Sequence, residues 1–481
     1  MDYEYSADRL INIAISLNAE KDIDILLEKI LKEAMDITNC DGGTVYVKGK
    51  ESLRFNNMVT RSKGIDLRGQ ARIGIPDVPL TKNHICALSA IEKRRINIKD
   101  VYENDEFDFS GTKNYDRLNG YTTMSMLVIP MLDEKGDVIG VLQLINAADN
   151  AGNPTPFKKE FEDIIAALAS LAAVSLNNTM LAKDVYDILH SFVRVMVGAV
   201  DIESKFNSNH TRSMIYYAER FLRWMDENDS EYKISDKEKD PFLMSIWLHD
   251  IGKLLVPLDI MNKATRLGKK IEDIHHRGSV AKLMEKVRGL EDPSYKEESD
   301  KKIKEIDKAL KLVDDADGVG TISDETDEAL RKAAALICLT DKGEKIPFLN
   351  DDELEAITVK KGTLTDKERS VMESHVSYTK RLLNEMSFKG AYENVPIWAA
   401  DHHEYLDKTG YPMGKGADEI SDKARIITII DIYDALTAED RPYKAPLVPE
   451  KAFDILLSMA EEGKLDKGIL DQFVESNAWK R

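Results

Sequence analysis

Two aspartates set inside an aliphatic run constrain this chain more than any other feature. Asp431 and Asp434 lie three apart within Ile426-Ile427-Thr428-Ile429-Ile430-Asp431-Ile432-Tyr433-Asp434-Ala435-Leu436. On a helix they share a face otherwise bounded by aliphatic side chains. A carboxylate buried there is costly unless a cation or several donors compensate it. A metal ion would solve the problem, and Arg425 is close enough in sequence to be a rival partner. The histidines repeat the theme. His249-Asp250 ends an apolar helical run (Phe242, Leu243, Ile246, Trp247), and His402-His403 follows Ile397-Trp398-Ala399-Ala400 in the same manner. Neutral imidazoles with carboxylates suit zinc, manganese or iron, and two adjacent histidines can serve neighbouring metals with Asp250 bridging them.

At 481 residues the chain is too long for one ordinary core and predicts two or three domains. With 67 basic against 86 acidic side chains the net charge is -19, so the surface field repels nucleic acid and anionic membrane. No nucleic-acid polymer and no membrane partner is expected. Cys40, Cys86 and Cys338 are scattered, odd in number and without ligand spacing, which fits a reducing cytoplasm. The first residues lack a basic segment, and the longest near-apolar run, Ile164 to Leu176, is shorter than the roughly 20 residues of a membrane span. The reading is a cytoplasmic protein with neither signal peptide nor transmembrane helix.

In the N-terminal half, Ile23, Leu26, Leu27, Ile30, Leu31 and Ala34 follow the spacing of a one-stripe helix. It is expected to stop before a turn at Cys40-Asp41-Gly42-Gly43, with strands at Thr44 to Val47, Met124 to Met131 and Val138 to Ile145, the last two joined by Asp133-Glu134-Lys135-Gly136. The order predicts an α+β domain with an antiparallel sheet. Ala87 to Asp100, Ser125 to Met131 and Gly140 to Asn146 resemble a GAF domain, over about residues 20 to 178. Cyclic-nucleotide-binding members usually follow that Asn with Lys, where this chain has Ala147. A small-molecule sensor pocket for an unknown ligand and a ligand-free dimerisation platform both remain open. His84 and Cys86 read as core or surface rather than as a redox or metal sensor. From about 158 to 198 a connecting helix carries Phe161, Ile164, Ile165, Leu168, Leu171, Ala172 and Leu176; it either packs on its copy in a parallel homodimer or covers the sensor sheet.

The ordered set His249-Asp250-Ile251-Gly252-Lys253, His402-His403-Glu404, Asp407, Gly410-Tyr411-Pro412, Asp431 to Thr437 and Asp440-Arg441-Pro442-Tyr443-Lys444 resembles the HD-GYP branch of the HD phosphohydrolases. The resemblance implies an all-α domain, about 185 to 481, that binds iron or manganese and hydrolyses cyclic-di-GMP. Carried over by motif, the metal ligands are His210, His249, Asp250, His375, His402, His403 and Asp431. Phe206 stands where a trinuclear member offers a carboxylate, so two divalent ions are expected. A water shared by two cations would attack the phosphodiester in line. Asp250 and Lys253 are the expected catalytic residues, Lys253 neutralising charge on the phosphorane; Arg441 and Lys444 would hold the second phosphate, and Tyr411 a base or a partner such as a diguanylate cyclase. Lys253 and Arg441 have a simpler alternative, a salt bridge to Asp250 or Asp434.

Two departures stand out. Lys408 occupies the position where the family commonly has glycine, and Met261-Asn262-Lys263 is separated from Lys361-Gly362-Thr363-Leu364-Thr365 by about a hundred residues. The inserted stretch, about 264 to 360, reads as a charged helical appendage with stripes at Ile271, Ile274, Val280, Leu283 and Val287 and at Leu330, Ala333, Ala334 and Ile337, broken at Asp317-Gly318-Val319-Gly320. Its His275-His276 pair reads as solvated surface. The alternatives to cyclic-di-GMP hydrolysis are the same fold acting on another cyclic dinucleotide or nucleotide phosphoester, and a catalytically silent adaptor.

Overall fold

The first helix begins where Asp22 caps it, its carboxylate accepting from the N–H groups of Asp24 (2.9 Å) and Ile25 (3.1 Å). This helix, α1 (Ile23–Thr38), ends at Asn39, whose φ of 47° is left-handed. The computed structural model describes residues 15–16, 20, 22–69, 75–203, 209–438 and 446–480. They fall into two units, 1–189 and 190–481.

In the first unit an antiparallel sheet runs β3 (Ile65–Arg68), β2 (Ser52–Thr60), β1 (Cys40–Lys48), β7 (Val138–Ala148), β6 (Met126–Leu132), β5 (Ile96–Ile98), with β4 (Val78–Pro79) on β2 and β8 (Pro154–Thr155) on β7. The expected turn at Cys40 to Gly43 is instead the start of β1. Its glycines serve packing: a Cβ on Gly43 would lie 2.6 Å from Leu31 Cδ1, and one on Gly42 2.8 Å from Ile145 Cγ1. Side chains alternate across the sheet. Val45, Val47, Leu127 and Ile129 join α1 in one core, while Tyr46, Met126 and Val128 join α2 (Ile85–Glu92) in another. A ten-residue helix, α3 (Ser110–Asn119), precedes β6.

Helix α4 (Lys159–Glu203) spans 45 residues. Ile165, Leu168, Ala169, Ala172, Ala173 and Leu176 lie in the α1 core, so this part covers the sheet. Among the described residues α4 is the one helix long and apolar enough to cross a membrane, with mean hydropathy 1.7 over its most apolar window, of which 44% is buried in the protein. The apolar character extends past Leu176, farther than the uninterrupted run predicted.

The second unit is helical: α5 (His210–Glu227), α6 (Asp236–Leu248), α7 (Leu258–Met261), then the inserted α8 (Lys270–Glu291), α9 (Lys296–Asp317), α10 (Asp324–Ala334) and α11 (Asp351–Ile357), then α12 (Asp366–Asn384), α13 (Val395–Ala400), α14 (Asp422–Thr437), α15 (Pro449–Glu461) and α16 (Lys467–Glu475). Met214, Phe221, Phe242, Ile426, Ile430, Tyr433, Phe453 and Phe473 make one core. The insert has its own, around Ile274, Ile306, Leu310, Val313 and Phe348. It also holds a two-stranded antiparallel hairpin, β9 (Ile337–Leu339) with β10 (Lys345–Pro347), so Ile337 leaves the predicted helical stripe, and Leu283 of the other stripe is exposed. The neck is tightly bonded. Fully buried Arg266 donates to the carbonyls of Val359, Ala316 and Val319, and Lys263 Nζ pairs with Glu368 at 2.6 Å. His275 is exposed and bonded to Asp314.

Candidate metal centre

Five segments deliver the predicted ligands. His210 is the first residue of α5, His249-Asp250 follows the end of α6, His375 lies within α12, His402-His403 follows α13, and Asp431 lies within α14. All seven side chains converge. In three groups, His375 with His402 and His403, His210 with His249 and Asp431, and His249 with Asp250 and His402, one ligand atom from each member lies within 4.8 Å of the others. Asp250 sits between them: Oδ2 is 3.3 Å from His249 Nε2 and 3.9 Å from His210 Nε2, and Oδ1 is 3.4 Å from His375 Nε2.

Three imidazoles share one construction. His249, His375 and His402 each donate from Nδ1 to the carbonyl three residues earlier, Ile246 (2.7 Å), Met372 (2.7 Å) and Ala399 (2.6 Å). That bond fixes the tautomer and leaves Nε2 as an acceptor. Each of these Nε2 atoms is buried without a hydrogen-bond partner, a costly state that a metal ion relieves. The donor set therefore fits divalent cations. Burial holds His402 well below the ordinary histidine value, helped by His403 and His249, and lowers His403 to about 4. Both are neutral, as ligation requires.

The carboxylates remain ionised. Burial alone would raise Asp250, but Lys253, His249 and His375 outweigh it and hold it well below the carboxylate range. Asp431 is likewise low, burial being overcome by His210 and then His403. His210 differs from the other imidazoles: its Nδ1 meets Asp434 Oδ2 at 2.7 Å and its Nε2 meets Asp431 Oδ1 at 3.1 Å. Burial disfavours its charge, yet the two carboxylates raise it to about 10. A proton on Nε2 and a metal cation are thus competing ways to neutralise Asp431. Arg425, the rival partner, instead binds Asp466 at 2.7 Å.

Lys253 Nζ lies 2.6 Å from Asp250 Oδ2, the ion pair named as its simpler alternative. The Tyr411 ring lies 4.8 Å from the His403 ring at 30°. Arg441, Lys444 and Phe206 lie outside the described residues.

Comparison with known proteins adds the families. The description "GAF domain" matches residues 22–176, and "HD domain" matches 352–469. The chain carries a GAF domain followed by an HD domain. Relatives of the latter kind include 3′3′-cGAMP-specific phosphodiesterase 3 of Vibrio cholerae, 44% identical over 101 residues, 21% of each chain. Another is the cyclic di-GMP phosphodiesterase PA4108 of Pseudomonas aeruginosa, 35% identical over 123 residues, 25% of this chain and 28% of that one. The chain thus spans between a fifth and under a third of the curated relatives it matches there. Among solved structures, the GAF domain of an Acinetobacter phosphoenolpyruvate-protein phosphotransferase is 15% identical with a TM-score of 0.30, over 38% of this chain and 99% of that one.

Several residues that position the HD-domain ligands were not read from sequence. Asp434 was seen as sharing a face with Asp431, but its bond to His210 spans 224 positions. Thr379, one turn after His375, donates to the His249 carbonyl (2.9 Å) and accepts from Gly252 N–H (3.0 Å). Gly252 permits that approach, since a Cβ there would lie 2.0 Å from the His375 carbonyl oxygen. Buried Glu404 accepts from the N–H groups of Met413 (2.7 Å) and Lys415 (2.8 Å), tying the loop that carries Tyr411 to the His402-His403 segment. Lys408 adopts φ +68°, the left-handed conformation for which glycine is suited. Lys408 thus holds a conformation that glycine would adopt without steric cost.

Proposed function

We propose that this protein is a metal-dependent phosphodiesterase that hydrolyses a cyclic dinucleotide, cyclic-di-GMP, under the control of its GAF domain. The observation that carries the reading is the trio of buried imidazoles, His249, His375 and His402, each anchored at Nδ1 with its Nε2 lacking a hydrogen-bond partner. In this reading His210, His249, Asp250 and Asp431 hold one divalent ion, and Asp250, His375, His402 and His403 the other, iron or manganese. Such a pair supplies Lewis acidity to the attacking and phosphoryl oxygens. The chain's own groups do the rest. Asp250 lies between the two ligand groups; Lys253 offsets its charge and stands ready for the charge that grows on the phosphoryl oxygens. Tyr411, tilted against the His403 ring and held by Glu404 through its loop, offers its ring to a base. Arg441 and Lys444 retain their proposed role at the second phosphate.

The second reading is hydrolysis of 3′3′-cGAMP, favoured by the 44% identity to a Vibrio cholerae enzyme named for it. It requires only a different base contact. A cytoplasmic location and a diguanylate cyclase partner belong to the same proposal, as does a homodimer through α4. Leu181, Val185, Ile188, Phe192 and Val195, spaced four and three apart, are each more than half exposed, the pattern of a coiled-coil seam. For the sensor ligand, a cavity of about 290 Å³ in the GAF domain is lined by Tyr46, Phe55, His84, Cys86, Asp108 and Gln143. Burial pushes the Cys86 thiol up to about 11, which disfavours redox sensing there.

The test is metal analysis with turnover of both dinucleotides by the parent and by a His402→Ala, His403→Ala double variant. The parent should contain close to two ions and hydrolyse one substrate, and the double variant should lose both properties. Equal turnover by the two proteins would sink the assignment.

A further inference from the structure

A second polar layer lies at the opposite end of α6 from the ligands His249 and Asp250. Asp240, in the first turns of α6, is nine residues from His249, about 13 Å along the helix axis. Tyr392 donates its hydroxyl hydrogen to Asp240 Oδ2, and His190 Nε2 lies 3.4 Å from the same oxygen. Tyr392 ends the short turn Gly390–Tyr392 that leads into α13, the helix after which His402 and His403 follow. Two residues before Asp240, Glu238 accepts from Lys423 Nζ at 3.1 Å. Lys423 opens α14, eight residues before Asp431, and its Nζ lies 5.4 Å from the centre of the Trp398 ring in α13. His190 belongs to α4, the helix that starts in the GAF unit. One layer therefore joins α4 to α6 and α13, whose far ends lead to His249, Asp250, His402 and His403, and to α14, which carries Asp431 two turns on.

We propose that Asp240 is a positioning residue for the metal centre, and that α4 acts on the ligands through His190 and Asp240. A helix transmits a shift along its length because its packed side chains hold a small number of discrete arrangements rather than deforming continuously. Movement of His190 relative to Asp240 thus changes the relative seating of α6 and α13. Their ends hold four of the seven ligands, as two pairs of adjacent residues. This inference rests on the metal-dependent phosphodiesterase reading, but its first consequence is metal affinity, which can be measured without turnover.

The test uses the full-length protein with Asp240→Asn, His190→Gln and the two combined, and Lys239→Ala as a control that removes two neighbouring ion pairs, to Asp226 and Asp236, outside the layer. Manganese affinity is measured by titration, folding by thermal melts, and kcat and KM on the dinucleotide substrate. Each single variant should weaken manganese binding about fivefold or more and lower kcat at unchanged KM, and the double variant should be no weaker than the weaker single. Lys239→Ala should match the parent. Should Asp240→Asn fold poorly, Tyr392→Phe removes one hydroxyl, keeps the ring packing and carries the same expectation. Manganese affinities within twofold of the parent, or strictly additive losses, would overturn the proposal. A parent that binds manganese and shows the non-additive losses, yet cleaves no cyclic dinucleotide, would overturn the substrate reading and leave the positioning role standing.

Discussion

Thr379 and His249 are joined by a single hydroxyl: Thr379 Oγ1 donates to the His249 carbonyl while accepting from Gly252 N–H. The helix that carries His375 thereby grips the turn that carries Asp250. Thr379→Val keeps the shape and orphans both backbone groups, so it should cost about 2 kcal/mol in urea denaturation and weaken manganese binding. Thr379→Ser keeps the hydroxyl and should restore most of the binding. Equal metal affinity for the valine and serine variants would refute the grip.

Asp434 orients His210 as backbone carbonyls orient His249, His375 and His402. Asp434→Asn retains volume but can leave the wrong tautomer facing the metal. A loss of about 10- to 100-fold in manganese affinity is expected, with the melting temperature nearly unchanged. Isothermal titration of the metal-stripped protein provides the check.

Lys408 holds a left-handed conformation at a cost of about 1 kcal/mol. Lys408→Gly removes that cost but adds freedom to the unfolded chain, so stability should stay within about 1 kcal/mol of the parent. Lys408→Val places a β-branched residue at positive φ and should lose roughly 2 kcal/mol. Denaturation midpoints of the two variants decide between a conformational and a purely side-chain role.

In the insert, Arg277 binds Glu353 through two hydrogen bonds of 2.7 and 2.8 Å. Burial would raise the Glu353 carboxyl, but Arg277 and the Asn350 N–H outweigh it and hold it below its ordinary value. A folded-state pKa below the unfolded one contributes stability above the unfolded value, near 4.3, and loses it as pH falls through the folded value. Glu353→Gln should therefore destabilise by about 3 kcal/mol at pH 7. The gap between variant and parent should close as pH drops below about 4, as seen in denaturation curves over that range.

What could be read from the sequence was whatever a local pattern encodes. The aspartates in the aliphatic α14 run and the histidine pairs at the ends of α6 and α13 identified the candidate ligands, because burying such groups demands compensation. The hairpin at Asp133 to Gly136 was equally visible, since Asp133 accepts from the N–H groups of Lys135 and Asp137 within the same turn. The glycines at 42 and 43 misled because a turn and a close-packed strand favour the same residue, and Leu31 and Ile145, which decide between them, are distant in sequence. Ile337 fitted a helical period but lies after the end of α10. Asp434, Thr379 and Asp240 act through partners 127 to 224 positions away or through helices whose neighbours no periodicity reveals.

The insert leaves the HD domain after Lys263 and rejoins it at Thr363, and Thr363 Oγ1 donates to the Lys263 carbonyl at 3.3 Å. Its two feet stand side by side, so the length of the excursion imposes almost no closure strain on the scaffold beneath. This site is therefore open to exchange: a fluorescent reporter or a foreign recognition module whose termini meet can replace the native appendage while the five ligand segments keep their places.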